Sequence, residues 1–225
     1  MTRLRSGATS GRTEYPQVFA DLSFRFLVAI DVAGFSRLRA AEQARIQDQL
    51  ERAMTQAAVR AGLDRGHWYR QPRGDGELAV LPEGANGLSL VAEYPRKLAS
   101  AVAAINHAGR GGPRMRLRLA IHHGAVAPGG FGPVGRAPVE ISRLVDAEAV
   151  RQHLRQCPAL DIALIVSAPV YVEVVRSGLR DLNPESFRRL AVRSKGETYV
   201  GYLYQGVFAP RERVIPAPRQ EQVTA

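Results

Sequence analysis

Of 225 residues one is cysteine, one is tryptophan, and of the 31 basic residues only Lys97 and Lys195 are lysines. The single thiol, Cys157, excludes an internal disulfide framework and fits a reducing compartment, so a cytoplasmic location is expected. Cys157 itself reads as a small buried hydrophobe. No stretch approaches the roughly 18 apolar residues of a membrane-spanning helix. The basic N-terminus also lacks the apolar core of a secretory signal, so no membrane partner is expected. Zinc-ligand spacings, a helix-turn-helix and an RNA-recognition signature are missing too. The formal charge of +10 is carried by arginines scattered along the chain. That favours polyanions in general, nucleotides among them, without pointing to nucleic acid.

What is present suits one globular domain: 45% hydrophobic and 23% charged residues are ordinary values. Residues 1–23 and 207–225 are polar or proline-containing, lack apolar periodicity, and are expected to be disordered. Residues 24–206 are the expected folded unit. Short apolar or alternating runs predict strands at 25–31, 67–72, 77–81, 115–121, 161–166, 187–193 and 199–204. Helical periodicity predicts helices at 38–62, 87–108, 138–154 and 168–177, the last with Ser167 as N-cap. Pro95 predicts a kink or break in the second helix. The order βαββαβαβαββ mixes long helices with hairpins, which is an α+β, ferredoxin-like layout: a central, mostly antiparallel sheet flanked by helices.

Two aspartates stand at strand ends. Asp31 closes the apolar run 26–30 and is followed by Val32, Ala33, Gly34, Phe35 and Ser36. Asp75 sits in the turn Arg73-Gly74-Asp75-Gly76 ahead of the apolar run 78–81. A carboxylate at the end of a buried strand is costly unless something cationic meets it. If the two strands are neighbours, the pair suits hard divalent cations that share oxygen ligands with substrate phosphates. The glycine-containing segment after Asp31 offers backbone N–H groups to phosphate. Simpler roles exist for both: a helix N-cap for Asp31, and a favoured Asp-Gly turn for Asp75.

Four blocks in order resemble the catalytic domains of class III nucleotidyl cyclases. They are 26–36 (FLVAIDVAGFS), 73–80 (RGDGELAV), 116–126 (RLRLAIHHGAV) and 135–144 (GRAPVEISRL). The resemblance spans about residues 24–206. It implies conversion of a nucleoside triphosphate to a 3′,5′-cyclic nucleotide and pyrophosphate, with two divalent cations, Mg2+ or Mn2+, as cofactors. It implies Asp31, Asp75 and Val32 as metal-binding positions. Substrate contacts would come from Ala33, Gly34, Phe35 and Ser36, and from Lys195 at the terminal phosphates. Arg143 would stabilise the pentavalent phosphate. It also implies a head-to-tail homodimer with two composite sites.

Three positions depart from the purine cyclases. Gln71 stands where the base-reading lysine is expected, Gly132 at the second base-reading position, and Val139 in place of the asparagine that orients the ribose. Tyr69, with Trp68 and Arg70 beside it, is expected to rebuild the base pocket for a smaller ring. That is similar to the pyrimidine cyclases of bacterial antiphage systems, which make cyclic UMP or cyclic CMP as a second messenger. Val139 keeps a second reading open: a catalytically degenerate domain that binds nucleotide or dimerises to regulate. His122 and His123 are adjacent on a strand, point to opposite faces and read as structural. Arg116 and Arg118 alternate with apolar neighbours and read as a solvated strand face.

Overall fold

The computed structural model describes residues 21–109 and 112–208. The ends expected to be loose, 1–23 and 207–225, lie almost entirely outside these residues. The elements in chain order are β1 (Ser23–Val32), α1 (Ala40–Arg60), β2 (Tyr69–Arg73), β3 (Gly76–Val80), α2 (Tyr94–Ala108) and β4 (Leu117–Val126). There follow α3 (Arg136–Val145), α4 (Glu148–Gln156), β5 (Ile162–Ser167), α5 (Ala168–Glu173), β6 (Phe187–Ser194) and β7 (Glu197–Tyr204). One seven-stranded sheet runs β2-β3-β1-β4-β5-β7-β6, and only the β4–β5 pair is parallel. The expected α+β architecture, a mostly antiparallel sheet between helices, is the one observed.

The sheet separates two apolar layers. Val28, Ile30 and Val32 point to the side covered by α1 and α2, with Leu50, Met54, Leu90 and Leu98. Leu27 and Ala29 point to the side covered by α3 and α4, with Ile141, Leu144, Val150 and Leu154. Central strands covered on both faces bury nearly every side chain. This is why β1 and β5 read as unbroken apolar runs, and every residue of β5 is buried. Asp31, two positions beyond Ala29, therefore faces the α3 side.

Several boundaries differ from the sequence expectation. The helix expected over 138–154 is two helices, α3 and α4, because Ala147 turns extended at φ −58°, ψ 133°. The helix expected over 87–108 is not broken at Pro95: it stays helical throughout, with a π-helical turn at 89–93 just ahead of α2, which carries the proline in its first turn. The last helix is short, and a 3₁₀ turn at 175–177 completes it. Ser167 does sit at the N-cap of α5, but its buried hydroxyl finds no partner among the described residues and makes no capping bond. The β6–β7 turn is built by Lys195 and Gly196, both with positive φ (50° and 82°), which matches the twist of antiparallel strands.

Candidate active site

The strand registers place one polar row across the sheet. Arg73 of β2 pairs with Gly76 of β3, Gly76 with Asp31 of β1, and Asp31 with Arg118 of β4. The hairpin tip folds back onto the end of β1, where the Val32 N–H donates to the Asp75 carbonyl at 2.8 Å. Gly76 makes this approach possible: a Cβ there would stand 1.9 Å from the Ile30 carbonyl oxygen. Asp31 and Asp75 are thus brought together, as the sequence suggested. Asp75 is half-buried, and Asp31 is only 8% exposed.

The buried Asp31 carboxylate has a partner the sequence reading missed. Arg118 donates from Nε to Oδ1 and reaches Oδ2 with Nη2, each at 2.5 Å. Far from a solvated strand face, Arg118 is buried beneath α3 and α4, and its neighbour Arg116 is drawn into carbonyl groups. Arg116 donates to the carbonyls of Leu154 and Cys157 at the C-terminal end of α4 and to that of Leu160 just beyond it. Burial pushes the Asp31 carboxyl up to about 6, against the lowering effect of Arg118, and the charges of Asp75 and Asp146 add to the rise. Asp31 is therefore still ionised at neutral pH. Asp146, at the C-terminal cap of α3, lies 3.6 Å from Arg118 Nη1.

The phosphate segment divides. Val32 and Ala33 have their N–H groups engaged in the sheet, with the carbonyls of Asp75 and Arg116 at 2.8 Å each. Gly34 turns left-handed at φ 76° and opens a 3₁₀ turn over Phe35–Arg37. The N–H groups of Gly34, Phe35 and Ser36 open that turn without a partner among the described residues, as the first donors of a helical turn do. Phe35 and Leu38 pack against the α1–α2 layer, and Gln43 of α1 fixes the Phe35 carbonyl at 3.2 Å.

The two base-reading positions meet each other. Gln71 donates its amide to the Phe131 carbonyl at 3.0 Å. Gly132, at φ 122°, has the Gln71 Nε2 2.8 Å from where a Cβ would be. The loop is closed beneath by paired bonds between Ala127 and Val134 (3.0 and 2.8 Å). Tyr69 is buried in the α3–α4 layer, two residues from Gln71 on the same face. Trp68 and Arg70 do not join them. Trp68 packs in the opposite layer against Tyr94, and Arg70 pairs with Glu51 of α1 at 2.8 Å.

The remaining predicted residues lie elsewhere. Lys195 is exposed at the β6–β7 turn. The registers put that turn at the opposite end of the sheet from Asp31. β1 and β7 are separated by β4 and β5, roughly 14 Å across at ordinary strand spacing. Arg143 is half-buried on α3 and its charge is felt by Tyr199 of β7. Val139, one turn earlier, is 45% exposed. His122 and His123 do point apart. His122 is buried, with Nδ1 3.8 Å from Glu140 of α3. His123 meets Glu173 at 3.1 Å and packs on Phe26.

Among the described residues no group of three or more His, Cys, Asp or Glu side chains forms a metal site by itself. Two carboxylates at one strand end instead fit cations that complete their shell with phosphate oxygens and water. Two grooves of about 720 and 570 Å³ open against α1, and Asp31 and Asp75 line neither. Carboxylate chemistry, rather than cavity size, marks this site. No described helix is long and apolar enough to cross a membrane.

No protein-family model matches the chain, and no curated protein matches it in sequence. Solved structures share its fold. The guanylyl cyclase Cya2 superposes with a TM-score of 0.59 at 16% identity, over 84% of this chain and 94% of that one. The adenylate/guanylate cyclase/hydrolase from Silicibacter pomeroyi gives 0.57 at 19% identity, over 82% and 98%. The catalytic core of a rhodopsin-guanylyl cyclase with converted specificity, in complex with ATPαS, gives 0.56 at 16%, over 82% and 96%. The fold is that of the class III nucleotidyl cyclase domain.

Proposed function

We propose that this chain is a nucleotidyl cyclase, converting a pyrimidine nucleoside triphosphate to cyclic UMP or cyclic CMP and pyrophosphate. One observation carries the reading: a buried, ionised Asp31 and a hairpin-borne Asp75 share one end of the sheet, beside a turn with free backbone donors. Asp31, Asp75 and the Val32 backbone would hold two divalent cations, Mg2+ or Mn2+. Bound there, the cations supply activation of the ribose 3′-hydroxyl and neutralisation of the triphosphate. The chain's own part is positioning and charge. Gly34, Phe35 and Ser36 point N–H groups at phosphate oxygens, and Ala33 forms the wall below them. As the 3′-oxygen bonds to the α-phosphorus, the bond to the β-phosphate oxygen breaks and pyrophosphate leaves.

Arg143 and Lys195 would serve the site of a second copy. In one chain Lys195 is at the wrong end of the sheet, whereas a head-to-tail homodimer brings it to the partner's aspartates. Phe131, Val134 and Val139 are exposed and offer apolar surface to such a partner. At the base, one N–H of the Gln71 amide is taken by the Phe131 carbonyl, which leaves its second N–H and its carbonyl oxygen to meet a ring. Gly132 adds no side chain, and Tyr69 fills the space behind. This arrangement suits a small ring better than a purine read by a lysine and an acid. The role as an antiphage second-messenger enzyme in the cytoplasm rests on the sequence resemblance at these same positions.

The test is to incubate the protein with each of the four nucleoside triphosphates and Mn2+ and resolve the products by mass. Cyclic UMP or cyclic CMP is expected, abolished by Asp31→Ala and by Asp75→Ala. Product from ATP or GTP alone would end the pyrimidine assignment, and no cyclic product at all would end the enzyme reading. Val139 favours a second reading, a catalytically degenerate module that binds nucleotide or dimerises without turnover, because no amide stands at that exposed position of α3. Nucleotide binding without product would select it.

A further inference from the structure

Arg118 presents an unsolved problem for a cation at Asp31. Its guanidinium grips both carboxylate oxygens, so Asp31 as it stands is not free to act as a ligand. A divalent cation arriving at Asp31 meets a positive charge already seated there, and the guanidinium must give way. Yet Arg118 is only 8% exposed, and a buried arginine without a carboxylate is strongly disfavoured. It needs somewhere to go.

The third nitrogen of the fork indicates where. Arg118 Nη1 is buried and makes no hydrogen bond among the described residues, a rare state for a guanidinium donor. The carboxylate facing it is Asp146, with Oδ1 3.6 Å away. Asp146 is fixed at its backbone, where its N–H donates to the Ser142 carbonyl at 3.3 Å. Its side chain is half exposed and, among the described residues, is otherwise engaged only by Arg151 at 2.9 Å, on the surface. A small rotation of the Arg118 side chain would exchange Asp31 for Asp146 without bringing the charge into apolar surroundings.

We propose that Asp146 is a positioning residue that acts through Arg118. It is the second seat of the guanidinium, taken up when divalent cations claim Asp31, and it sets the metal concentration at which the site fills. The proposal rests on the two-metal reading above. It predicts that metal affinity depends on Asp146 only while Arg118 is present.

Mn2+ binding to the full chain, without nucleotide, tests this through the free-Mn2+ electron paramagnetic resonance signal. Asp146→Asn should weaken Mn2+ binding roughly five- to tenfold, within the usual span of coupling between sites, and Asp146→Glu should recover most of the loss. In an Arg118→Gln background Asp146→Asn should have no effect, since there is no guanidinium to receive. An equal loss in that background would overturn the proposal, because it would reduce Asp146 to a distant negative charge. Unchanged affinity in Asp146→Asn would overturn it as well. If Arg118→Gln does not fold, the surface variant Arg151→Ala serves. Freeing Asp146 should tighten Mn2+ binding, and the gain should vanish when Asp146 is also Asn; a gain that persists would count against the proposal. Absence of Mn2+ binding by the unaltered protein is a different result, which would remove the two-metal reading itself.

Discussion

Gly76 shows how much of the site depends on a missing side chain. The Asp75 carbonyl can receive the Val32 N–H only because β3 lies against β1 with no Cβ between them. A Cβ at position 76 would overlap the Ile30 carbonyl at 1.9 Å, and the obstacle is backbone. Neither strand can yield, since Ile30 is also held in register by Leu119 of β4. Gly76→Ala should therefore destabilise the protein by on the order of 3 kcal/mol through overpacking, read as a lower denaturant midpoint at constant slope. Gly74, two residues earlier, would place its Cβ in open space, so Gly74→Ala should stay within about 0.5 kcal/mol. Equal losses from the two would mean that the hairpin is held by its turn and not by its seat on β1. At this scale the sequence was legible for Asp31 and Asp75, whose spacing from apolar runs is local. Arg118 was not legible, because its partner is 87 positions away.

β4 explains that failure at the level of elements. Alternation of Met115, Leu117 and Leu119 with Arg116 and Arg118 correctly identifies a strand and its apolar face. It does not reveal whether the other face is covered. Here α3 and α4 cover it, so Arg118 is buried and Arg116 half-buried, and both must find acceptors. Arg116 finds them in the carbonyls of Leu154 and Cys157 at the end of α4 and of Leu160 just beyond it, where a helix end leaves carbonyls short of partners. Arg116→Met keeps the bulk and removes the donors; the Cys157 carbonyl keeps the Leu160 N–H at 3.0 Å, while the Leu154 and Leu160 carbonyls lose this partner. A loss of about 2 kcal/mol is expected, with hydrogen-exchange protection falling locally in residues 148–160. Global loss of protection without a local effect would contradict this role. The division of α3 from α4 was illegible for a related reason. Ile141, Leu144 and Val145 pack on the same sheet face as Val150 and Leu154, so one long periodic pattern fits either one helix or two. No glycine or proline marks the turn at Asp146 and Ala147. By contrast, the β6–β7 and β2–β3 hairpins follow from turn chemistry and were read directly, whereas the helix passes Pro95 unbroken, with a π-helical turn just ahead of it.

Across the whole molecule, two buried groups of opposite sign decide how stability follows pH. Burial, helped by the charge of His123, pushes His122 down from 6.5 to about 4. Burial pushes Asp31 up from 3.8 to about 6. Between pH 6.5 and 4 the unfolded chain binds a proton at His122 that the folded chain refuses, so acidification destabilises the fold. Between pH 6 and 3.8 the folded chain binds a proton at Asp31 that the unfolded chain does not, so acidification stabilises it. At 1.36 kcal/mol per pH unit each effect is about 3 kcal/mol, and over the shared window they offset each other. Glu77 and Glu140, raised by burial, act with Asp31. Glu51, lowered by its bond to Arg65, acts with His122. Comparison of each variant with the unaltered protein cancels these background groups. From pH 7 to pH 4 the stability of His122→Gln relative to the unaltered protein should rise by about 3 kcal/mol, and that of Asp31→Asn should fall by about the same amount. Denaturant titrations at several pH values measure both, and pH-independent differences would show that neither group is perturbed by the fold. Divalent cations should also move the Asp31 limb. A bound cation holds the carboxylate ionised, so with Mn2+ present the decline in Asp31→Asn relative to the unaltered protein should begin at lower pH, whereas the His122→Gln curve should not move. That contrast separates a carboxylate that binds metal from a histidine buried only for packing.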